Sequence, residues 1–475
     1  MGEGNVYKWS FIDRISIALI NFGVNIALAR MLTADDFGLL AMIAIFIAVA
    51  TDLSSCGLSD GLVHKTHPTE KDYSTVFVFN AGFGIFFGLT FFLTAPFIAR
   101  FFGHEELVGI MRIVGICFIF QTMSYVQETR LRKQLRMRTI CFVRVGATVT
   151  VSALGIVAAF LGYGYKALVI TQVVLSFFFF LYYTIASRWF PKIQFSVKAF
   201  KEFFNYGVHL MLAYLASLIG RNINTLILGR FYSSPGMSGV YSQGAKLAAV
   251  PFGVTESSLN SPFFVVASNE EDPERVRELI NRMMSIIISV NGCIMMFMLV
   301  IAAPGIKFLY GDKWLASIPV FMILAVAEFL ICVRAYMQTI CKVHARTLFV
   351  RNMGFVEVAL QLLLLAVFYR FGILWIAWTQ TLGVAFATVV FLFYCRTYTG
   401  QSIWRMIATF GRSLWLPGTA CIVSFAVRWF LPDWPAVIIC GIIAIVFFSV
   451  FVGVGEIIKP YAYMELRSYV LKRHR

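Results

Sequence analysis

Leu28-Ala29-Arg30, followed by Thr33 and Gly38, returns as Leu228-Gly229-Arg230, followed by Ser233 and Gly239, at an offset of 200 that grows to 201. Later landmarks keep step at an offset of 208. Ala95-Pro96 and Gly103 return at Ala303-Pro304 and Gly311, Arg138-Thr139 at Arg346-Thr347, and Gly164 with Thr171-Gln172 at Gly372 with Thr379-Gln380. The hydrophobic part of the chain is therefore written twice. If each copy crosses a bilayer six times, both copies enter and leave on the same side. Such halves are parallel repeats, related by an axis along the membrane normal, and two lobes of this kind are expected to enclose a central cavity.

Composition agrees with a membrane solvent. The 475 residues are 59% hydrophobic and 13% charged, with mean hydropathy +0.80. A helix needs roughly 20 apolar residues to cross. Fourteen stretches qualify as candidates, among them 11–30, 37–62, 206–229 and 238–264, and little chain remains outside them. Alternating ten-residue segments of the barrel type are nearly absent, so the expectation is an all-α polytopic membrane protein. Met1 to Ser10 is too short, and the following stretch too poor in small-residue cleavage signals, for a cleavable leader.

The net charge of +16 reads as topology and not as a nucleic-acid footprint. With loops assigned alternately to two sides, Arg130, Arg132, Lys133, Arg136, Arg138, Arg188, Lys192, Lys198, Lys201, Arg396, Arg405, Arg412, Lys472, Arg473 and Arg475 fall together. That side is the cytoplasm by the positive-inside rule, which places both termini inside. Trp9, Trp189, Trp314, Trp404, Trp415, Trp429 and Trp434 fall near span ends, where amphipathic rings anchor to the interface.

The domain reading follows from the repeat. Residues 1–190 form an N-lobe of spans 1–6, and 191–200 a cytoplasmic connector. Residues 201–400 form a C-lobe of spans 7–12, and 401–475 carry spans 13 and 14 with a basic tail. Asp272-Pro273-Glu274 predicts a helix start, with an aspartate N-cap, proline at N1 and an acidic first turn. The nine cysteines include no C-x-x-C and the six histidines no ligand spacing, so neither a metal site nor a catalytic constellation is expected. No Walker motif is present, so no ATP hydrolysis is expected of this chain.

Thr33-Ala34-Asp35-Asp36-Phe37-Gly38 admits two readings. Paired carboxylates in an external loop occur in membrane glycosyltransferases, where they hold a metal or activate an acceptor. The stronger reading is a helix start, with Thr33 as cap and the aspartates on the positive end of the dipole. The second copy uses Ser233-Ser234-Pro235 in the same place without a carboxylate.

The chain resembles the Wzx-type polysaccharide flippases of the multidrug/oligosaccharidyl-lipid/polysaccharide exporter superfamily. The residues that carry the resemblance are Leu28-Ala29-Arg30-Met31-Leu32-Thr33 with Asp36-Phe37-Gly38-Leu39, and Gly57-Leu58-Ser59-Asp60-Gly61-Leu62. Gly239-Val240-Tyr241 with Ala245-Lys246-Leu247, and Leu309-Tyr310-Gly311-Asp312-Lys313-Trp314, complete the set. The resemblance implies two six-helix lobes, alternating access and an undecaprenyl-pyrophosphate-linked oligosaccharide moved from the cytoplasmic to the periplasmic leaflet of the bacterial inner membrane. It implies membrane lipids as surroundings, and a polysaccharide polymerase and chain-length regulator as partners. Many relatives carry a basic residue before the proline ending the eighth span; this chain has Asn260-Ser261-Pro262.

A charge inside a bundle costs a few kcal/mol and needs a partner, water or a ligand. In the first span Arg14, Asn21 and Asn25 share a helical face, and the seventh places Ser217, Arg221 and Asn224 likewise. The second span carries Asp52, and the eighth a stripe of Ser242, Lys246, Gly253, Ser257 and Asn260 flanked by Glu256. Arg14, Arg221 and Lys246 are thus expected to form a cationic lining for pyrophosphate or acidic sugars, with amides and hydroxyls replacing water at sugar hydroxyls. Lys246 lies roughly 12 Å below the outer end of its span, whereas the two arginines lie nearer the interfaces. Glu328 and Glu357 are the deepest carboxylates and are candidates for a coupling cation, H+ or Na+. Glu357 is the better of the two by the resemblance, with a pair to Arg334 or Arg351 as its other reading. A cation-coupled multidrug antiporter calls for an acidic aromatic cavity, and an enzyme for a catalytic face; a lipid II flippase is the remaining alternative.

Overall fold

The computed structural model describes residues 3–460, except 56–57, 59–61, 63–64, 66–67, 193, 233 and 432–433, together with 463–464 and 467. Side chains are described except at 3–7, 49–55, 202, 205–219, 221, 257, 261 and 265. Fourteen long α-helices follow one another. They are α1 (Glu3–Met31), α2 (Ala34–Ser55), α3 (Glu70–Phe102), α4 (Glu106–Lys133), α5 (Met137–Phe160), α6 (Tyr165–Ser187), α7 (Val197–Phe231) and α8 (Pro235–Asn269). Then come α9 (Pro273–Tyr310), α10 (Ile318–Val343), α11 (Thr347–Phe368), α12 (Ile373–Thr399), α13 (Ile403–Trp429) and α14 (Ala436–Ile458). Among the described residues 11 helices are long and apolar enough to cross a membrane. The other three long helices, α2, α7 and α8, include residues whose side chains are not described. α8 carries Ser238, Ser242, Gln243, Lys246, Glu256 and Asn260 along one helix.

Helix ends follow from local chemistry. Thr69 and Asp72 form a reciprocal capping box at the start of α3, the Thr69 backbone N–H donating to Asp72 Oδ2 at 2.8 Å. Asp272 caps α9 by accepting from the Glu274 backbone N–H at 3.0 Å, with Pro273 in the first turn, as its sequence predicts. Gly103 closes α3 and Gly400 closes α12 with φ of +78° and +64°, left-handed conformations that glycine adopts without a Cβ penalty.

The chain separates into two compact units, Met1–Gly239 and Val240–Arg475. The duplication read from the sequence changes over at 191–200, one helix earlier. The difference has a packing cause: α7 lies against α2 and α3, so it is grouped with the helices it touches. In the first unit α3 crosses α4 at glycines. A Cβ at Gly88 would stand 2.8 Å from the Gly115 carbonyl oxygen, and the reverse holds for Gly115. Without side chains between them the two backbones meet directly, a membrane device that replaces the hydrophobic effect with close van der Waals contact. A core of Met42, Ile43, Phe91, Phe102, Met111 and Phe118 fills the space around that crossing.

One polar clasp ties the start of α3 to the end of α4 in the first unit. Arg130 Nη1 donates to Glu70 Oε1 at 2.7 Å, while Trp189 Nε1 donates to Glu70 Oε2 at 2.6 Å. The Arg130 guanidinium also stands 5.1 Å from the Tyr73 ring and 5.4 Å from the Trp189 ring. α3, α4 and the segment after α6 are thus pinned through one carboxylate, with cation–π attraction added. In the second unit α10 packs on α9 and α12, and the two extra helices α13 and α14 pack on α9. Val300, Ile439 and Ile443 make the apolar contact that holds α14 in place.

Candidate substrate faces and charged sites

α8 has two faces with opposite duties. On one, Tyr241 donates to Gln380 Oε1 at 2.9 Å, Gly244 sits against Phe321, and Thr255 donates to Asn291 Oδ1 at 2.6 Å. Phe263 adds a ring contact with Tyr336 at 4.9 Å. This face anchors α8 on α12, α10 and α9. The other face carries the predicted stripe. Ser242, Glu256 and Asn260 are half-buried, and Lys246 and Gly253 are exposed, with nothing within 4 Å of a Cβ built on Gly253. Lys246 makes no salt bridge with another described residue. Pro251 and Pro262 interrupt the helix on either side of Gly253 and release carbonyls from the backbone ladder. An exposed ammonium in mid-helix, beside a loosened backbone, needs water or an anion near it.

α1 divides in the same way. Arg14 and Asn21 are exposed and Asn25 is half-buried, as the shared face requires. Its neighbour Asp13 points inward, 7% exposed, and accepts from Arg144 Nη1 of α5 at 2.8 Å. The sequence reading missed this pair. The signal was present, since an aspartate within a span is a functional candidate by default, but its partner lies 131 residues away and no spacing rule connects them.

Other predicted residues fall elsewhere. Asn224 is fully buried inside the first unit and presents no surface to a ligand. Arg221 and Asp52 lie outside the residues whose side chains are described. Glu357 of α11 is engaged by Arg334 of α10, both side chains mostly buried, which is the ion-pair reading of this carboxylate. Glu328 is half-buried on α10 and shares the neighbourhood of Cys332 with Glu256 of α8. Among the described residues no group of three or more His, Cys, Asp or Glu could hold a metal.

The aspartate pair has a structural assignment. Asp36 Oδ2 accepts from the Thr33 backbone N–H at 2.9 Å and Thr33 Oγ1 accepts from the Asp36 backbone N–H at 3.3 Å, which is a capping box at the start of α2. Asp36 Oδ1 accepts from the Tyr165 backbone N–H at 2.8 Å, and Asp35 Oδ1 from the Gly236 backbone N–H at 2.7 Å. Two carboxylates therefore serve three helix N-termini, those of α2, α6 and α8, each a site of positive partial charge. Beside them the repeat-related glycines meet: a Cβ on Gly38 would stand 1.8 Å from the Pro235 carbonyl oxygen, and one on Gly239 2.0 Å from that of Ala34.

A family model described as polysaccharide biosynthesis protein matches residues 27–319, more than half of the chain. The chain belongs to that family. Within it, the chain is similar to the teichuronic acid biosynthesis protein TuaB of Bacillus subtilis, at 26% identity over 68% of this chain and 67% of that one. It is 22% identical to the lipopolysaccharide biosynthesis protein WzxC of Escherichia coli, over 68% and 66%. It is 21% identical to the succinoglycan biosynthesis transport protein ExoT of Rhizobium meliloti, over 67% and 65%. The chain thus spans about two thirds of the length of these relatives. Among solved structures, the lipid II flippase MurJ in an inward closed conformation matches 94% of this chain and 98% of that one, with TM-score 0.76 and 14% identity. An inward-facing multidrug resistance MATE family transporter of the MOP superfamily matches 82% and 94%, with TM-score 0.64 and 16% identity. The family's fold here is therefore the all-α fold of multi-pass flippases and transporters, not that of a soluble enzyme.

Proposed function

We propose that this polysaccharide biosynthesis family member is a flippase for an undecaprenyl-pyrophosphate-linked oligosaccharide. It carries the unit from the cytoplasmic to the periplasmic leaflet of the bacterial inner membrane by alternating access, with both termini in the cytoplasm. A polysaccharide polymerase and a chain-length regulator then act on the product. The observation that carries the reading is Lys246, exposed in the middle of α8 without a salt bridge to another described residue. An ammonium so placed attracts pyrophosphate or an acidic sugar, Ser242 and Asn260 on the same stripe suit sugar hydroxyls, and Arg14, Asn21 and Asn25 offer the same chemistry on α1. Binding of the charged head leaves the polyprenyl tail in lipid, so only the polar part needs a path. The transport name of one relative and the flippase and transporter names of the structural neighbours support this class of activity.

The drug-antiporter reading is weaker, because Glu357, a deep carboxylate and the better coupling candidate, is held by Arg334. A coupling cation, H+ or Na+, belongs to the same proposal. At Glu357 it would have to displace Arg334; Glu328 is the other position. The test is surface display of polysaccharide in cells lacking the native gene. Lys246→Ala is expected to abolish display and Lys246→Arg to retain it, with equal membrane insertion of both. Full display from inserted Lys246→Ala removes the cationic cargo contact from the account.

A further inference from the structure

The N-terminal end of α9 bounds a cleft of about 500 Å³, lined by Glu274, Arg277, Glu278, Asn281, Arg282, Ser285 and by Gln401 of the α12–α13 connection. The α9 residues recur at intervals of three and four, so they stand on one helical face. None of its lining residues is among those assigned to the cargo. We propose that it binds the zwitterionic headgroup of a phosphatidylethanolamine-type lipid, in the cytoplasmic leaflet on the topology proposed above.

Charge and order along the helix carry the assignment. The lining holds two arginines and two glutamates, which suits a ligand with one anionic and one cationic group better than a simple anion. The apolar run of α9 begins at Ile286, so Ser285 and Arg282 lie closest to the hydrocarbon. Glu278 and Glu274 lie further out, at about 10 and 16 Å from Ser285 at 1.5 Å per residue. A phospholipid presents its groups in that order, phosphate next to the glycerol and ammonium beyond it. Arg282 meets the phosphate with a charge-assisted hydrogen bond, and Glu278, about 6 Å along the helix from it at 1.5 Å per residue, meets the ammonium.

Two further features show a built site. Asn281 donates through Nδ2 to the Thr399 carbonyl at 3.0 Å, which fixes its amide, while its Oδ1 is shielded from solvent and has no hydrogen-bond partner. A shielded acceptor of this kind costs free energy until a donor reaches it, and an ammonium supplies one. Gly400 makes room for Arg277: a Cβ there would stand 2.8 Å from Arg277 Cδ and Nε. Glu274, Arg277 and Glu278 form no salt bridge with another described residue.

The experiment uses the purified full-length protein in detergent, with thermophoresis against phosphatidylethanolamine and phosphatidylglycerol of identical acyl chains. The wild type is expected to bind phosphatidylethanolamine about tenfold more tightly, a difference of about 1.4 kcal/mol. Glu274→Gln with Glu278→Gln is expected to abolish that preference while keeping the phosphate contact. Arg277→Gln with Arg282→Gln is expected to weaken both lipids. Soluble glycerophosphoethanolamine at equal concentration is expected not to compete, and competition would overturn the assignment to bilayer lipid. Equal affinity of the wild type for the two lipids, or a preference unchanged by the glutamate variant, overturns the proposal. The isosteric Glu→Gln pair keeps the test decisive if the arginine variant fails to fold.

Discussion

Lys246 and Glu357 show how the same cost is met in two ways. A charge in a span needs compensation, and Glu357 obtains it from Arg334, whereas Lys246 is left exposed on α8. Removing one partner of the buried pair strands the other. Arg334→Gln alone is therefore expected to destabilise the detergent-solubilised protein by about 3–5 kcal/mol, and the double change Arg334→Gln with Glu357→Gln by clearly less. Denaturation midpoints of the single and double variants check this, and additive losses would show that the two groups do not act as a pair. The same logic applies to Asp13 and Arg144, joined at 2.8 Å across α1 and α5. None of these partners follows from spacing along the chain, since each pair is made by helix packing. What the sequence does show is the stripe of α8, because a face repeats every three to four residues, and the period places Ser242, Lys246, Gly253 and Asn260 together without coordinates.

At the scale of elements, the repeat landmarks prove to be contact points. Gly38 and Gly239 were legible as repeated letters; that they touch was not, because a repeat fixes correspondence and not proximity. Leucine at either glycine has no space, as the nearest backbone oxygen would stand 1.8 or 2.0 Å from its Cβ. Gly38→Leu and Gly239→Leu are expected to lower the melting temperature or abolish accumulation, whereas Gly253→Ala, in open space, is expected to behave as wild type. Thermal unfolding monitored by size exclusion compares the three. Helix ends were also legible: Asp272 and Pro273 start α9 as read, and Thr33 with Asp36 caps α2. The further use of Asp35 and Asp36 at the starts of α8 and α6 needed the structure. Asp36→Ala removes bonds to two helix starts, so its cost is expected to exceed the ~1 kcal/mol typical of one lost cap. The clasp at Glu70 gives a similar test. Glu70→Gln keeps the shape but weakens the bond to Arg130, and a lower melting temperature than wild type is the expected result.

For the whole molecule, hydrophobic run lengths and basic loops were enough to give an all-α multi-pass protein, and the ordered landmarks were enough to give the duplication. Fourteen long helices are present, and 11 of them qualify as spans among the described residues. The boundary between compact units differs from the boundary of the duplication, since α7 follows its packing partners α2 and α3. Topology has its own test. Single cysteines at Ser10 and Ser468, in a cysteine-free background, are expected to resist a membrane-impermeant maleimide in intact cells and to react after permeabilisation. Labelling of either in intact cells would reverse the assigned orientation.

The most direct measurement is flipping of a pyrophosphate-linked oligosaccharide by the purified protein in proteoliposomes, wild type against Lys246→Ala and Lys246→Arg. The account predicts a rate at least about tenfold lower for the alanine variant, equivalent to a barrier raised by about 1.4 kcal/mol, with substantial recovery in the arginine variant. A wild-type rate from correctly inserted Lys246→Ala would contradict it.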